Sequence, residues 1–474
     1  MMGLKYIYII LIISLNVLLS RECLIDHGDG KRLTRPERHA FAPSISGHFY
    51  IHYDTTGNNA PDLLDVDPQN GVPDYVDAVG VIADSAHHVL VDVLGYEEEP
   101  FDGEGGYDIY IQSYSSGMYG FNYHDGNGTS YMKIDNDYLG YNLDPMKIMQ
   151  ITVGHEYFHA LHWGYRFSLT GNQYFYEMSA MWFEDVLIPD GNDYLDGWVD
   201  PLLNNPIASF DNTGNGYELG LFGHYLSSYL DPKGSSNIQG TTIIREMWER
   251  FGSTTSNAFS AVRHVLDGQN YSLTFLEAWA DFMSRNLYNG KYDDMQNPFY
   301  YYEDQALINP ISTSLSSLNE SLSFTLQLDD ESVAIASYSL SEVNTLIDIL
   351  HSANGYVGRL ALVTDNQEDI GNNLYWARDT SLANSSDQIH FIYGTEGQDL
   401  DLNVNLQLSE YLLGDLNDDG GWNVMDVVAL VNCILEAACE GYGHLADING
   451  DGGWNVIDVV ALANCVLSAN CNEI

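Results

Sequence analysis

Basic residues are scarce in this chain: 17 Lys plus Arg stand against 67 Asp plus Glu, a formal net charge of -50 over 474 residues. Nucleic acid and anionic membrane surfaces repel such a protein, so neither is expected as a partner. The apolar fraction is an ordinary 45%. That excludes a disordered polyacid and, at this length, allows several domains with their own cores. Two readings of the acidity stand together: calcium ligation, and a solvated surface suited to a salty medium. Long apolar runs are also missing, with one exception. Lys5 precedes an apolar stretch from Tyr6 to Leu19. Its length and position fit a signal peptide over residues 1–22 better than a membrane span. No other segment is apolar enough to cross a bilayer, so the mature chain is expected to be secreted or held at the cell surface. Ser20-Arg21-Glu22-Cys23 lacks a small-x-small cleavage pattern. It also lacks the small residue before cysteine that a lipid anchor needs, so lipidation of Cys23 is not expected. Cysteine is rare. Besides Cys23 there are only Cys433, Cys439, Cys465 and Cys471, regularly spaced near the C-terminus. They suggest two disulfides in an oxidising compartment, with the connectivity open.

What the chain does contain centres on Gly154-His155-Glu156-Tyr157-Phe158-His159-Ala160-Leu161-His162-Trp163, which holds an H-E-x-x-H sequence. On a helix, residues four apart share one face, so His155 and His159 can offer two imidazole nitrogens to one metal ion. Glu156 projects beside them, where it can act on a water. Asp144-Pro145 upstream supplies an N-cap and a proline at the first helical position. A buried helix can show this motif by chance, so a third ligand has to be found.

Before the motif, His48 to Tyr53 reads as a strand. In the stretch Asp62 to Asp77, the residues Asp65, Asp67, Asn70, Gly71 and Asp74 fit equally a loose calcium loop or an acidic turn capping the next helix. A helix is expected from Val76 to Leu94, with Val79, Ala83, Ala86 and Leu90 on one stripe. Strands are expected at Tyr107–Ile111 and Ser130–Ile134, with hairpin loops in the Gly-, Tyr- and Asn-rich segment between them. Asp135-Asn136-Asp137 is either a cation site or a turn.

Three arrangements of an H-E-x-x-H protein differ in the third ligand. The metzincin spacing fails, because His162 and Tyr165 stand where glycine and histidine are required. The inverted motif is absent. Downstream, Tyr176-Glu177-Met178-Ser179-Ala180-Met181-Trp182-Phe183-Glu184 resembles the N-E-G-x-A-x-x-x-E stretch of gluzincin metallopeptidases. The match keeps Glu177, Ala180 and Glu184 and departs at Tyr176 and Met178. It implies a zinc ion held by His155, His159 and Glu177, with Glu156 as the general base. It also implies that the strand near Tyr131 offers its backbone edge to a protein or peptide substrate. His162 is read as a packing residue, since a third imidazole would close the open position that catalysis requires. Gly216-Tyr217-Glu218-Leu219-Gly220 is similar to the Y-E-x-G segment of the aminopeptidase branch. That likeness makes Tyr217 the candidate oxyanion donor, with His224 and Tyr225 in reserve. The G-x-M-E-N strand of that branch is missing, which favours an endopeptidase.

Amphipathic helices are expected at Ile243–Phe251, Ala258–Val265 and Phe275–Leu287, closing an α+β zincin-like peptidase domain over 44–305. Short apolar strands separated by turn signals, such as Leu322–Leu328 and Gln388–Tyr393, predict a β-sandwich over 311–408. The tail, 412–474, is a repeat, its copies at 415–435 and 447–467 offset by 32. Each copy reads D-x-N-x-D-G-x-x-N-x-x-D and runs into an apolar helix. The expected calcium ligands are Asp415, Asn417, Asp419, Asn423 and Asp426, then Asp447, Asn449, Asp451, Asn455 and Asp458. This small α-helical unit resembles the type I dockerin domain, which docks exported enzymes onto cohesin modules. The family's recognition pairs are usually Ser-Thr-like. Here they are Val424-Met425 and Val456-Ile457, which leaves open a cell-surface partner as well as a cohesin-like scaffold.

The whole chain therefore reads as multidomain: a secreted zinc-dependent endopeptidase displayed through a calcium-binding tail. Two other readings remain at this stage. One is a calcium-dependent scaffold component with an inactive peptidase domain. The other is a dockerin-bearing polysaccharide-degrading hydrolase, which would use two carboxylates instead of the histidine motif.

Overall fold

The computed structural model describes residues 35–103, 105–114, 117–125, 128–141, 143–166, 170–195, 197–206, 209–212, 216–232, 241–254, 257–290, 299–340, 345–351, 356–363, 368–373, 378–383, 388–410, 412–417, 419–436, 439, 443–449 and 453–471. For 212, 254, 269, 340, 345–351, 356–363, 368–373, 378–383, 409, 410, 443 and 444 only the backbone is described. The expected signal segment, Cys23 and Asp451 lie outside these residues. The chain divides into two compact units, Met1–Val199 with Asn215–Val265, and Asp200–Gly214 with Leu266–Ile474.

The first unit contains a mixed five-stranded sheet. Its strands are β1 (Ala40–Pro43), β2 (Phe49–Tyr53), β3 (Tyr107–Ile111), β4 (Gly120–His124) and β5 (Ser130–Ile134), in the order β1-β2-β3-β5-β4. The pairs β2/β3 and β3/β5 are parallel, while β1/β2 and β4/β5 are antiparallel. Along β2, Phe49, Ile51 and Tyr53 are buried and alternate with half-exposed residues, the period of a strand with one face on a core. β4 falls where hairpin loops were expected. Its glycine and asparagine carry a turn signal, and only the ladder with β5 makes it a strand. The edges of the sheet are therefore β1 and β4, both antiparallel to their neighbours, and β5 with Tyr131 lies inside. This corrects the expectation that the Tyr131 strand offers a free edge.

Helix α1 spans Asp74–His87 and continues through a π-helical turn to Val93, starting before the expected Val76 and ending just short of Leu94. The acidic loop before it is satisfied internally. Asp65 accepts the backbone N–H groups of Asn70 and Gly71, and Asp74 those of Val66 and Asp67. Asp135 likewise closes a turn, accepting from the N–H of Tyr114 and of Tyr138. Helix α2 (Pro145–Tyr165) starts as predicted, with the Asp144 carboxylate capping the N–H of Met146 at 2.9 Å. Every residue from Ile151 to Trp163 is buried. It is a central helix, enclosed by α1, by α3 (Gln173–Leu187), by β4 and β5, and by α6 (Ile243–Thr254).

Helix α4 (Asp200–Asn204) belongs to the second unit, and α5 (Gly220–His224), α6 (Ile243–Thr254) and α7 (Ala258–Val265) belong to the first. Helix α8 (Phe275–Asn286) packs on the sandwich strands rather than on the metal-helix unit. Residues 200–214 and 266–305 thus belong to the unit that holds the sandwich, whereas the peptidase domain was expected to run to 305. Amphipathicity shows that a helix needs a partner but does not say which one. In the structure Leu276 lies against Gly394, and Phe275 and Trp279 pack on Phe210.

The sandwich strands are β6 (Leu315–Leu318), β7 (Leu322–Leu328), β8 (Val333–Leu340), β9 (Thr345–His351), β10 (Tyr356–Val363), β11 (Glu368–Asn373), β12 (Arg378–Ala383), β13 (Gln388–Thr395) and β14 (Leu400–Glu410). They form sheets β11-β10-β13-β8-β6 and β12-β9-β14-β7. Their core includes Leu328, Tyr338, Phe391, Tyr393, Leu402 and Val404. In the tail, α9 (Val424–Glu436) and α10 (Val456–Ser468) pack around Leu430, Ala446 and Leu462. Each helix ends before its second cysteine, so the bridges close within repeats: Cys433–Cys439 and Cys465–Cys471.

Two expected outcomes follow from this packing. Each bridge closes a short loop and contributes about 2 kcal/mol in the chain-entropy picture. Reduction at constant calcium should lower the melting temperature of the tail transition in calorimetry without moving that of the metal-helix unit. Gly216 has φ +90°, and a Cβ there would lie 2.3 Å from the Tyr174 backbone. Gly216→Ala should therefore cost about 2–4 kcal/mol, read as a fall in the denaturation midpoint of the first unit.

Candidate metal centre

His155 and His159 project from one face of α2, and Glu177 comes from the second turn of α3. The structure brings all three together in full burial, with one donor atom from each within 4.8 Å of the others. His155 Nε2 and His159 Nε2 are 3.0 Å apart, and Glu177 Oε2 lies 3.2 and 3.4 Å from them. Burial opposes the Glu177 carboxylate. A proton on His159 or His155, by its charge and its hydrogen bond to the carboxylate, would overcome it and draw Glu177 down, and a cation at the same point would do likewise.

The far side of each ring is held. His155 Nδ1 donates to Glu184 Oε1 at 2.6 Å. His159 Nδ1 and His162 Nδ1 share a hydrogen bond at 3.3 Å, His159 being the donor in the tautomer that leaves its Nε2 free for a metal. His162 Nε2 then donates to Ser179 Oγ at 3.2 Å, and Ser179 donates on to the carbonyl of Phe175 at 2.9 Å. Trp248 stacks on His162 at 4.0 Å and gives its indole N–H to the same Ser179 oxygen. Burial, and the neighbouring His159 and His155, push His162 well below the usual imidazole range. It is therefore neutral and can carry this one-way chain. His162 stands behind His159 and outside the donor group.

This assignment leaves lone pairs on both Nε2 atoms and on Glu177 Oε2, all facing one point. Three acceptors at 3.0–3.4 Å repel one another unless a cation sits between them. Zinc with bonds of about 2.05 Å needs tetrahedral edges of about 3.3 Å. Donor chemistry and spacing both fit a zinc-type ion with a fourth position left for a ligand.

Glu156 is buried beside the group. Its carbonyl accepts from Asn122 Nδ2 on β4 at 2.8 Å. A Cβ at Gly120 would come within 3.3 Å of Glu156 Cγ and 2.7 Å of Thr152 Cγ2. Glycine at this position is what lets the sheet edge lie against the metal helix. Tyr217 opens the short turn after Gly216, and its ring centroid is 6.4 Å from that of His155. The next residue, Glu218, is buried, and that burial raises its carboxyl to about 7. The reserve residues sit elsewhere. His224 lies beside Tyr194, 3.7 Å from Asp185, with burial lowering it to about 3, and Tyr225 stacks on Phe222.

Sequence reasoning kept Glu184 as part of a pattern without a role. Its spacing of seven from Glu177, two helical turns, was the available signal that both carboxylates face α2. Ser179, Trp248 and Asn122 carried no signal, because their contacts join segments far apart in the chain.

In the tail, Asp426 and Asp458 are fully buried at the last loop position, and Asp415 is nearly so. Asp426 accepts the N–H groups of Asn417 and Asn423, and Asp458 those of Asn449 and Asn455. The Asn423 and Asn455 side chains cap the helices that follow. Asp419 takes the Asn423 amide at 2.8 Å, and Asp447 and Asn449 stand at the start of the second loop.

Residues 413–467 match the dockerin type I domain family. No curated protein matches the chain in sequence. Among solved structures, the pre-peptidase C-terminal domain of a collagenase from Bacillus anthracis is similar at 12% identity. The likeness covers 21% of this chain and 100% of that one, at a TM-score of 0.17. PliG, a periplasmic lysozyme inhibitor of Salmonella Typhimurium, is similar at 9% identity with the same coverage and TM-score. At such scores neither likeness bears on fold or function. The tail thus carries a type I dockerin domain, a kind of domain that binds Ca2+.

Proposed function

We propose that this chain is an exported zinc-dependent endopeptidase of gluzincin type, tethered through its dockerin domain to a cohesin-type scaffold. The observation that carries the catalytic half is the buried convergence of His155, His159 and Glu177, with Glu156 beside it. The first unit, with its mixed sheet, antiparallel edge strand and buried metal helix, is read as a zincin-like fold.

Zinc held by the three residues would supply Lewis acidity to a water and to the scissile carbonyl. Glu156 takes a proton from the attacking water and passes it to the leaving nitrogen. The Tyr217 hydroxyl donates to the oxygen that gains charge in the tetrahedral state. Glu184 and the His162–Ser179 chain keep both imidazoles in the tautomer that leaves Nε2 free. The β4 edge, beside Glu156, is where an extended peptide can add as a strand.

Glu156→Gln should retain the zinc content of the parent chain, measured by elemental analysis. Casein cleavage should fall about 10^2–10^4-fold. Full activity in that variant would sink the mechanism, and a zinc-free parent would leave a calcium-dependent binding component as the better account.

For the tail, Val424, Met425, Val456 and Ile457 are 64%, 59%, 68% and 56% exposed. The recognition pairs are thus two apolar patches, suited to a partner with a matching apolar face. Calorimetric titration with cohesin modules should show binding in calcium and none in chelator. Met425→Asp combined with Ile457→Asp should weaken it by about tenfold or more. Unchanged affinity would place the docking surface elsewhere.

A further inference from the structure

A second set of described residues brings metal-type donors together: His48, His87 and Glu99, with one ligand atom from each within 4.8 Å of the others. His48 leads into β2, His87 ends α1, and Glu99 lies in the loop before β3. The two rings pack at 4.1 Å, and His48 Nε2 is 2.7 Å from Glu99 Oε1. The Glu99 side chain is 7% exposed and that of His48 28%, so the donors sit in a recess that solvent still reaches.

Tyr157 organises this group from α2. Its hydroxyl donates to Glu99 Oε2 at 2.6 Å, so it accepts from His87 Nδ1 at 2.7 Å. The proton on His87 is thereby placed on Nδ1, and Nε2 keeps its lone pair. This is the arrangement in which an outer hydrogen bond orients an imidazole for a metal. Glu98 adds negative potential at both rings.

A self-contained hydrogen-bonded network would account for Glu99, which is satisfied by His48 and Tyr157. It does not account for a second imidazole packed at a tilt against the first, with a ring nitrogen within 4.8 Å of the donor atoms of His48 and Glu99. We propose that His48, His87 and Glu99 form a second binding site for a zinc-type divalent cation, two nitrogens and one carboxylate oxygen being a donor set that borderline metals favour. Tyr157 is two residues from both His155 and His159, about 200° round the helix from either. A cation here ties the start of β2, the end of α1 and the loop at Glu99 to the face of α2 opposite the first donor group. Its role is a brace, and the inference stands independently of peptidase activity.

The test is zinc content of the full chain, stripped by chelator, reloaded with zinc in the presence of calcium, and dialysed. The parent should hold two zinc per chain. His48→Gln and His159→Gln should each hold one, and the double variant none. Zinc should still raise the melting temperature of His159→Gln, and that rise should vanish in the double variant. Glu99→Gln, whose amide is a far weaker metal ligand, should lose the same zinc as His48→Gln, and an unchanged far-ultraviolet circular dichroism spectrum should exclude misfolding as the cause. If His48→Gln and Glu99→Gln both hold as much zinc as the parent, the second site is overturned. A parent with one zinc, lost in His48→Gln and retained in His159→Gln, would support this site and overturn the proposed catalytic one.

Discussion

Three buried acceptors facing one another at 3.0–3.4 Å are the constraint on which the first unit turns. Acceptors pressed together in a dry interior with no proton between them cost several kcal/mol, since mutual repulsion adds to lost hydration. Nothing local to α2 would hold such an arrangement. It persists because Glu184 holds one imidazole from behind and the His162–Ser179–Trp248 set holds the other. Apart from His162, which α2 itself carries, those partners come from α3 and α6, so the tertiary packing and the donor geometry are one structure. A cation relieves the repulsion, and the donors are spaced for one.

The same logic explains the small residues around the group. Gly120 brings the sheet edge against Glu156, and Gly216 lets the chain pass the Tyr174 backbone just before Tyr217. At each point a side chain would occupy the space through which two elements meet. The two faces of α2 differ in kind. One carries a fully buried donor group, and the other, through Tyr157, touches a half-buried group that solvent can reach. A helix enclosed on all sides can position chemistry on both faces with little freedom to adapt.

The tail works on another principle. Its calcium loops are encoded locally, each within twelve residues, and each disulfide closes within its own repeat. Such a module depends little on the rest of the chain, which suits a tether. The chain's strong negative charge accords with carboxylate-rich loops and a solvated surface. Recognition through Val424, Met425, Val456 and Ile457 would then rest on apolar contact instead of charge.

Periodicity and spacing were enough to read the local features. They located α1, α2, α6, α7 and α8, the strands at 107–111 and 130–134, the sandwich, the repeat and the His155/His159 pair, while Glu177 came from the likeness to the gluzincin stretch. Those features repeat at short range, where one residue's neighbours in sequence are its neighbours in space. The fold decided what depends on distant segments meeting. β4 became a strand only by pairing with β5, and so took the sheet edge from the Tyr131 strand. Helix α8 joined the sandwich, because an amphipathic face names no partner. The roles of Glu184, Ser179 and Trp248, and the meeting of His48, His87 and Glu99, came from contacts spanning tens of residues. Sequence alone determined which residues could bind a metal or calcium. Tertiary structure decided which of them face one another and what holds them there, because only the packed chain brings separate elements within hydrogen-bonding reach.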